Sequence, residues 1–274
     1  MLWKRKRGRI VLLNNHTYYS FCYGTLSIDE LLDHAKKGGY SSVVLTDINN
    51  TSACLEFVRK AVHEYHVKPI LGIDFRNGAQ QQYVGIATNN QGFKELNDHL
   101  SLHLHGAIPF DEKAPEFNNA FVIYPLKNYK GQTLRDNEYI GVSIKEFDSF
   151  HFSKAKKLTE KFVALQPLTF TSKKMFNAHR LLRAIDTNNV LSKLPVTEQA
   201  QANEVLYSHN ELQTAYASYP TIIANTKHIL NSSGIHFDYG KFANKNLKYF
   251  YGSLSEDMLA LRSKCCLLYT SRCV

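Results

Sequence analysis

The amino-acid sequence predicts an α/β fold in which parallel strands alternate with helices. Short runs rich in valine, isoleucine and leucine recur along the chain, and such runs suit strands that are buried on both faces. Amphipathic segments with helical spacing separate these runs, which is the pattern of strand–helix–strand units. The predicted strands cover residues 10–13, 42–45, 69–75, 83–87, 121–124, 139–143 and 162–165.

The helices are predicted from capping residues and from apolar spacing. The first begins at a capping box formed by Ser27 and Glu30 and ends at two glycines. The second covers about residues 52–65, the third begins near residue 91, and the fourth covers 174–187. From residue 198 onward the sequence predicts helices only. The predicted buried faces are Ile28, Leu31, Leu32 and Ala35; Leu55, Val58, Ala61, Val62 and Tyr65; Phe93, Leu96 and Leu100; and Ala178, Leu181, Leu182 and Ile185.

The strand pattern alone does not choose between a barrel and a doubly wound sheet. The first predicted strand is followed by Asn14-Asn15-His16-Thr17, which fits neither of the two common glycine-rich phosphate-binding motifs. This sequence therefore disfavours a nucleotide-binding fold.

The net charge of +9 comes from the two ends of the chain. Residues 1–9 and 263–274 contain seven lysines and arginines and no acidic residue, which leaves 26 basic and 24 acidic residues in the body. Such a body is a poor electrostatic surface for DNA. We expect residues 1–9 to be a basic extension that is non-native or disordered, and 263–274 to be an aberrant tail from a truncated reading frame.

Composition favours a cytoplasmic protein. No run of the sequence approaches the roughly 18 apolar residues that a membrane span needs, and the N-terminal IVLL is too short for a signal peptide. Three of the five cysteines lie in the tail, at positions 265, 266 and 273, and Cys22 and Cys54 have no partner at zinc-binding spacing. We therefore predict neither disulfides nor structural zinc.

Three predicted strand ends each carry a polar residue that could bind a metal. They are His16, Asp47 and Asp74. In a barrel these ends meet at one mouth, so the three side chains are expected to lie close together. They could hold one adventitious divalent ion, or form a hydrogen-bonded network in which a carboxylate accepts from His16 or a backbone N–H.

Other groupings have simpler explanations. His99 and His103 have metal-compatible spacing, but HLSLH lacks the HExxH glutamate, so a solvated helix end is expected. Tyr18, Tyr19 and Tyr23 could stack on a base, although packing over the mouth is the favoured interpretation. His179 is expected to pack or to make a local hydrogen bond. The sequence has no GxSxG nucleophile motif.

The motifs HTYYS, LTDINN and KPILGIDF, in this order and spacing, resemble the PHP (polymerase and histidinol phosphatase) family. They are most similar to the N-terminal PHP domain of bacterial DNA polymerase III alpha subunits, and FKELN, FNAHRLLRAI, YPTIIANTKHI and SLSEDMLALR continue the resemblance to residue 262. The resemblance implies a distorted (β/α)7 barrel over residues 10–197. A helical part, 198–262, would then lead towards the polymerase body.

The resemblance also implies that most metal ligands have been lost. Positions where the family places ligands are occupied here by Leu12, Asn14, Ile48 and Tyr83. Asp74 stands in place of a glutamate, and VALQPLTF lacks the later Asp-x-His. The surviving His16, Asp47 and Asp74 are too few for a two- or three-metal cluster. We therefore expect no cofactor, or at most one weakly bound Zn, Mn or Mg ion.

The expected function is a structural and interaction scaffold in DNA replication. The palm motif of the polymerase family is absent from the sequence, so no polymerisation by this chain is expected. The expected partners are the polymerase body and a proofreading exonuclease, with DNA contacted only through the full polymerase. One alternative is a free-standing metal-dependent phosphoesterase or exonuclease that uses His16, Asp47 and Asp74. Another is single-strand DNA binding.

Overall fold

The computed structural model describes residues 12–147, 160–240 and 249–271, with the backbone alone for 267–271. The chain divides into two compact units, residues 1–237 and 238–274. The expected N-terminal extension and Cys273 lie outside the described residues. The described strands are β1 Asn14–Asn15, β2 Ser42–Leu45, β3 Lys68–Asn77, β4 Gln80–Ala87, β5 Ala120–Pro125, β6 Glu138–Val142, β7 Phe162–Ala164 and β8 Pro167–Leu168.

The described α-helices are numbered α1 to α7 in chain order. They are α1 Ile28–Lys37, α2 Cys54–Lys60, α3 Asn90–Gly106, α4 Lys173–Asp186, α5 His209–Ala215, α6 Pro220–Ser232 and α7 Leu254–Ser271. Short 3-10 turns cover Leu126–Asn128, Ile144–Glu146, Leu191–Lys193 and Val196–Glu198. No helix of the described segments is long and apolar enough to cross a membrane.

Six strands form one mixed sheet that curls into a half-barrel, in the order β2-β3-β4-β5-β6-β7. The expectation of parallel strands is wrong for β4, which is antiparallel to both β3 and β5. The reason is local: β3 and β4 are joined by Gly78 and Ala79, and two residues can connect antiparallel strands only. Gly78 adopts a φ of +58°, which this tight turn requires.

A separate parallel pair, β1 with β8, adjoins the edge of this sheet. The Asn15 amide donates to the carbonyl of Val44 at 2.8 Å, and its backbone N–H donates to the hydroxyl of Thr46 at 2.9 Å. Strand β1 covers Asn14–Asn15, whereas the predicted strand covers 10–13, of which residues 10 and 11 lie outside the described residues. Strand β8 was not predicted. The fold is compatible with a PHP-like barrel, but a count of seven strand–helix units is not established.

Helix α1 agrees with its prediction. Its capping box is complete, with the N–H of Glu30 donating to the Ser27 hydroxyl at 3.1 Å and the N–H of Ser27 donating to the Glu30 carboxylate at 2.8 Å. The four predicted apolar residues of this helix are buried. The predicted second helix is divided, because α2 changes at Ala61–Tyr65 into a π-helical turn. Leu55, predicted to be buried, is exposed.

Helix α4 buries a different face from the predicted one. Leu181 and Ile185 are 53% and 64% exposed, whereas His179, Arg183 and Ala184 are buried. The two buried polar side chains find hydrogen-bond partners inside the fold, and these bonds offset the cost of their burial. Of the four predicted apolar residues, Leu181 and Ile185 are left on the surface, and Ala178 and Leu182 are partly buried.

The second unit contains helix α7. Before this helix, the N–H groups of Phe250 and Tyr251 donate to the carboxylate of Asp257 at 3.0 and 2.8 Å. The helix runs without a break from Leu254 past Arg262. The predicted domain boundaries and the origin of the tail stay predictions.

Candidate functional site

The candidate site is built around Asp74, which is fully buried on β3. Strands β2 and β3 lie side by side, and the N–H of Asp74 donates to the carbonyl of Asp47 at 3.2 Å where β2 has ended. One oxygen of Asp74, Oδ2, accepts hydrogen bonds from four side chains. They come from His16 Nε2 at 2.9 Å, Arg76 Nε at 3.0 Å and Nη2 at 2.7 Å, Gln81 Nε2 at 2.9 Å and Asn14 Nδ2 at 3.3 Å.

Arg76 is the cation of the site. It follows Asp74 by two positions on β3, so both side chains lie on the same face of the sheet. Its side chain is only 6% exposed, and its guanidinium carbon lies 4.7 Å from the centroid of the Tyr23 ring. The side chain of Asn49 pairs with both backbone polar groups of Arg76, at 3.0 and 2.8 Å. The arginine is therefore fixed at its backbone and at its head group.

The electrostatics of the two aspartates differ because Arg76 contacts one of them. Burial by itself would raise the pKa of Asp74, but the charge of Arg76 and the hydrogen bond from His16 lower it to about 2. At Asp47 the effect of burial dominates and raises the pKa, although hydrogen bonds from Ser20 and Thr17 oppose it. Asp74 is consequently held as a carboxylate at neutral pH.

Asp47 holds the loop that follows β1. Its Oδ1 accepts from the backbone N–H of Thr17 at 2.6 Å and from the Ser20 hydroxyl at 2.7 Å, and its Oδ2 accepts from the Thr17 hydroxyl at 2.8 Å. The Ser20 oxygen in turn accepts from the N–H of Ile48 at 3.0 Å. Asp47 thus acts as a turn-fixing acceptor, and Ser20 is committed to the same network.

His16 connects Asp74 to the far side of the site. Because a carboxylate cannot donate, the Nε2 of His16 carries the proton in its bond to Asp74. Its Nδ1 lies 3.0 Å from the hydroxyl of Thr169, which donates to Glu204 Oε2 at 2.6 Å. This hydrogen-bonded arrangement is one of the two that the sequence left open.

Strand β4 brings Gln81 to the site by means of a β-bulge. In the pairing of β3 with β4, Phe75 lies opposite Tyr83 and Arg76 lies opposite Gln81, so Gln82 is the extra residue. Such an insertion reverses the alternation of side chains, which puts Gln81 on the Asp74 face. The side chain of Asn128 donates to the carbonyls of Gln81 and Gln82 at 2.7 and 3.1 Å and holds the bulge.

Tyr83, one of the predicted lost ligand positions, points away from Asp74. Its ring packs on Phe75, and its hydroxyl lies 2.7 Å from His99 Nε2. Burial, and then the neighbouring His103, lower the pKa of His99 to about 4. The expectation of a solvated helix end is therefore wrong for His99, which belongs to an aromatic cluster beneath α3.

The other predicted positions pack in hydrophobic clusters, contact Asp74 or stack on a neighbouring ring. Leu12 is part of the main hydrophobic core, and Ile48 packs in a small cluster with Tyr23 and Phe170. Asn14 contacts Asp74, as described above. The rings of Tyr18 and Tyr19 stack on each other, with 4.8 Å between their centroids.

Sequence reasoning missed Arg76, Gln81, Thr169 and Glu204. Arg76 had a usable signal, since a charged residue two positions after Asp74 on a strand shares its face. Gln81 had none, because only the paired structure shows the bulge. Thr169 and Glu204 come from segments distant in sequence, where no local pattern marks them.

A family model for the PHP domain matches residues 13–164, which is more than half of the chain. The chain belongs to the PHP domain family. The DNA polymerase III subunit alpha of Streptococcus pyogenes serotype M3 (strain MGAS315) is 25% identical over 243 residues, which cover 87% of this chain and 22% of that protein. The match covers most of this chain. The chain itself spans only about a fifth of the length of the curated relatives of this kind.

Two further relatives match a shorter part of the PHP chain. The DNA polymerase III subunit alpha of Ureaplasma parvum serovar 3 is 38% identical over 84 residues, covering 31% of this chain and 8% of that protein. The Error-prone DNA polymerase of Symbiobacterium thermophilum is 33% identical over 87 residues, covering 32% of this chain and 8% of that protein. These matches agree with a PHP domain of the polymerase III alpha type.

The donor set of this PHP mouth does not fit a metal cluster. The shared oxygen of Asp74 already accepts four side chains, the facing nitrogen of His16 carries a proton, and both oxygens of Asp47 accept hydrogen bonds. One buried oxygen, Asp74 Oδ1, has no protein partner, and a single oxygen is not a metal site. Within residues 12–147, 160–240 and 249–271, no three His, Cys, Asp or Glu residues are grouped to hold a metal.

Proposed function

We propose that this PHP domain is a non-catalytic scaffold within a DNA polymerase III alpha-type protein, with a degenerate metal site. The observation that carries the proposal is the contact of Arg76 and His16 with Asp74. A metal-activated hydroxide needs a metal with an open coordination position. Here Asp74 Oδ2 and both oxygens of Asp47 accept protein donors, and only Asp74 Oδ1 is left without one, which supports a structural role and not a nucleophile-generating one.

The relatives support a role alongside a polymerase body. Each of the three is a DNA polymerase by its name, and each is several times longer than the segment it shares with this chain. On this proposal, replication chemistry belongs to the remainder of the protein, and a proofreading exonuclease is a further candidate partner. DNA would be contacted only through the full polymerase.

An apolar surface on the first unit supports the interaction role. Leu181 and Ile185 on α4 are exposed, and Val190, Leu191 and Val196 follow them on the surface. These side chains follow one another along the chain, and large exposed apolar patches often mark interaction sites on monomeric proteins. This surface is the first one to test against a polymerase body.

The catalytic part of the proposal is tested with the full chain and a phosphodiester substrate, bis-p-nitrophenyl phosphate. The chain is incubated with MnCl₂ or ZnCl₂, with and without EDTA, and bound metal is measured by mass spectrometry. We expect no stoichiometric metal and no chelator-sensitive hydrolysis. Hydrolysis that EDTA abolishes, and that Asp74→Asn also abolishes, would establish the phosphoesterase alternative instead.

The interaction part is tested by binding to the remainder of S. pyogenes DNA polymerase III subunit alpha, the part that this chain does not cover. The double variant Leu181→Gln/Ile185→Gln is compared with Lys174→Gln, a matched change at an exposed polar position of the same helix. We expect the double variant to bind at least tenfold more weakly and the lysine variant to bind normally. Equal binding by the wild type and both variants would contradict the assignment of this surface as the binding site. Absence of binding by all three proteins would contradict the scaffold role.

A further inference from the structure

The mouth of the half-barrel contains a buried cation that belongs to the chain itself. The guanidinium of Arg76 is almost inaccessible, and two of its N–H groups converge on Asp74 Oδ2 at 3.0 and 2.7 Å. Its carbon lies 4.7 Å from the centroid of the Tyr23 ring. A buried charge is stable only when it is paired and hydrogen-bonded, and the carboxylate of Asp74 and the ring of Tyr23 provide this pairing for Arg76.

We propose that the mouth is a guanidinium-binding site, with the side chain of Arg76 as its resident ligand. Removal of this side chain creates a site for a small planar cation of the guanidinium class, and not a site for a divalent metal. The inference goes beyond the proposed function because it names the cation that the mouth selects. The inference rests on the proposed function in one respect: the guanidinium site and the scaffold role both require a mouth that binds no metal.

The selectivity follows from the shape and hydration of the two kinds of cation. A guanidinium is planar, weakly hydrated and rich in N–H donors, so it can stack on an aromatic ring while it donates to one oxygen. Tyr23 offers the ring and Asp74 offers the oxygen. A divalent metal needs several anionic or lone-pair donors in a closed shell, and an aromatic face provides none of these.

The neighbours of Asp74 also favour a guanidinium. His16, Gln81 and Asn14 all present N–H groups to the carboxylate, at 2.9, 2.9 and 3.3 Å. These groups hold the carboxylate in place, but in this orientation they have no lone pair to give a metal. The site therefore remains suited to a free guanidinium ion after the side chain of Arg76 has been removed by substitution.

The test is chemical rescue of Arg76→Ala in the full chain, followed by thermal unfolding. Removal of one member of a buried ion pair is expected to lower the Tm by roughly 10 °C. Methylguanidinium chloride at millimolar concentration is expected to restore at least half of that loss in a saturable manner. Potassium chloride at equal ionic strength, MnCl₂ and ZnCl₂ are expected to restore none of it.

The matched control is Arg59→Ala, which removes a half-exposed arginine paired with Glu64 on the surface. This variant is expected to keep the wild-type Tm and to show no response to methylguanidinium. The proposal is overturned if manganese or zinc restores the Tm of Arg76→Ala, or if methylguanidinium has no more effect than potassium chloride. Wild-type Tm in Arg76→Ala would also overturn it.

If Arg76→Ala does not fold, a double-mutant cycle replaces the rescue. The Tm is measured for Arg76→Gln, Asp74→Asn and the double variant, which has neither charge. We expect the double variant to lose less than half of the sum of the two single losses, and additive losses would refute the pairing. A failure here is distinguishable from a failure of the proposed function, which would appear as chelator-sensitive hydrolysis by the wild-type chain.

Discussion

The imidazole of His179 donates its Nδ1 proton to the backbone carbonyl of Tyr23 across 2.7 Å. The tautomer follows from the other nitrogen, because Nε2 accepts from the N–H of Ala200 at 2.8 Å and an amide can only donate. The fully buried ring thus joins the loop after β1, helix α4 and the segment that follows Val196–Glu198. The sequence predicted packing or a local hydrogen bond for His179, whereas both observed bonds join segments that are distant in sequence.

His179 makes the stability of the fold sensitive to mild acid. Burial lowers the pKa of His179, and a protonated Nε2 would lose its bond from Ala200. The unfolded histidine has a pKa of about 6.5, so below this pH the unfolded chain binds more protons and stability falls. Urea midpoints between pH 7.5 and 5 are expected to fall less in His179→Gln than in the wild type. Parallel pH profiles would contradict this assignment.

Asp74 contributes a second, more acidic transition. Its folded pKa of about 2 is below the ordinary value of about 4, so its stabilising contribution is complete above pH 4 and is lost as the pH falls to 2. We expect about 2 kcal/mol of this loss to disappear in Asp74→Asn, which cannot titrate. The measurement is the free energy of unfolding at pH 5, 4, 3 and 2. An Asp74→Asn slope as steep as the wild-type slope in this range would be evidence against the pairing with Arg76.

Gly24 is predicted to be irreplaceable in the loop after β1, which Asp47 holds in place. A Cβ at this position would lie 1.9 Å from the backbone oxygen of Thr17, a contact that only movement of the loop can relieve. We expect Gly24→Ala to destabilise the fold by about 2 kcal/mol or more in thermal unfolding. The control is Gly234→Ala, where a Cβ would meet only the flexible end of Lys68 at 3.1 Å. Similar losses in both variants would show that the loop accommodates the methyl group.

The observed orientation of α4 is tested by its exposed and buried positions. Leu181→Gln and Ile185→Gln are each expected to change the free energy of unfolding by no more than about 0.5 kcal/mol, because both side chains lie on the surface. Ala184→Leu adds volume at a buried position of the same helix and is expected to cost about 1–3 kcal/mol. The opposite order of effects would restore the face that apolar spacing predicts.

Local sequence signals predicted the fold where local chemistry decides it. The capping box of Ser27 and Glu30 located α1, and the apolar runs located most strands to within a few residues. The antiparallel β4 also had a signal that the prediction did not use, since Gly78 is the first of the two turn residues Gly78 and Ala79, and glycine at this position favours a two-residue hairpin turn. The face of α4 could not be predicted, because the partners of His179 and Arg183 are distant in sequence.

The site was predicted in part. His16 and Asp74 were expected to lie close together because both are at strand ends of one barrel. In the structure, His16 Nε2 lies 2.9 Å from Asp74 Oδ2. Asp47 lies nearby but contacts Thr17 and Ser20. The role of Gln81 depends on a bulge, and a bulge follows from strand pairing and not from residue type. The vestigial metal site remains a prediction.

Asp74, Arg76 and Gln81 all belong to one hairpin, formed by β3, the two-residue turn and β4. Such a hairpin forms within about ten microseconds, so residues two and seven positions apart meet early in folding. His16, 58 positions before Asp74, arrives only when the long-range contacts close. We therefore expect the carboxylate to gain its countercharge before the surrounding strands exclude water from it. The countercharge of Asp74 is thus encoded two positions further along its own strand.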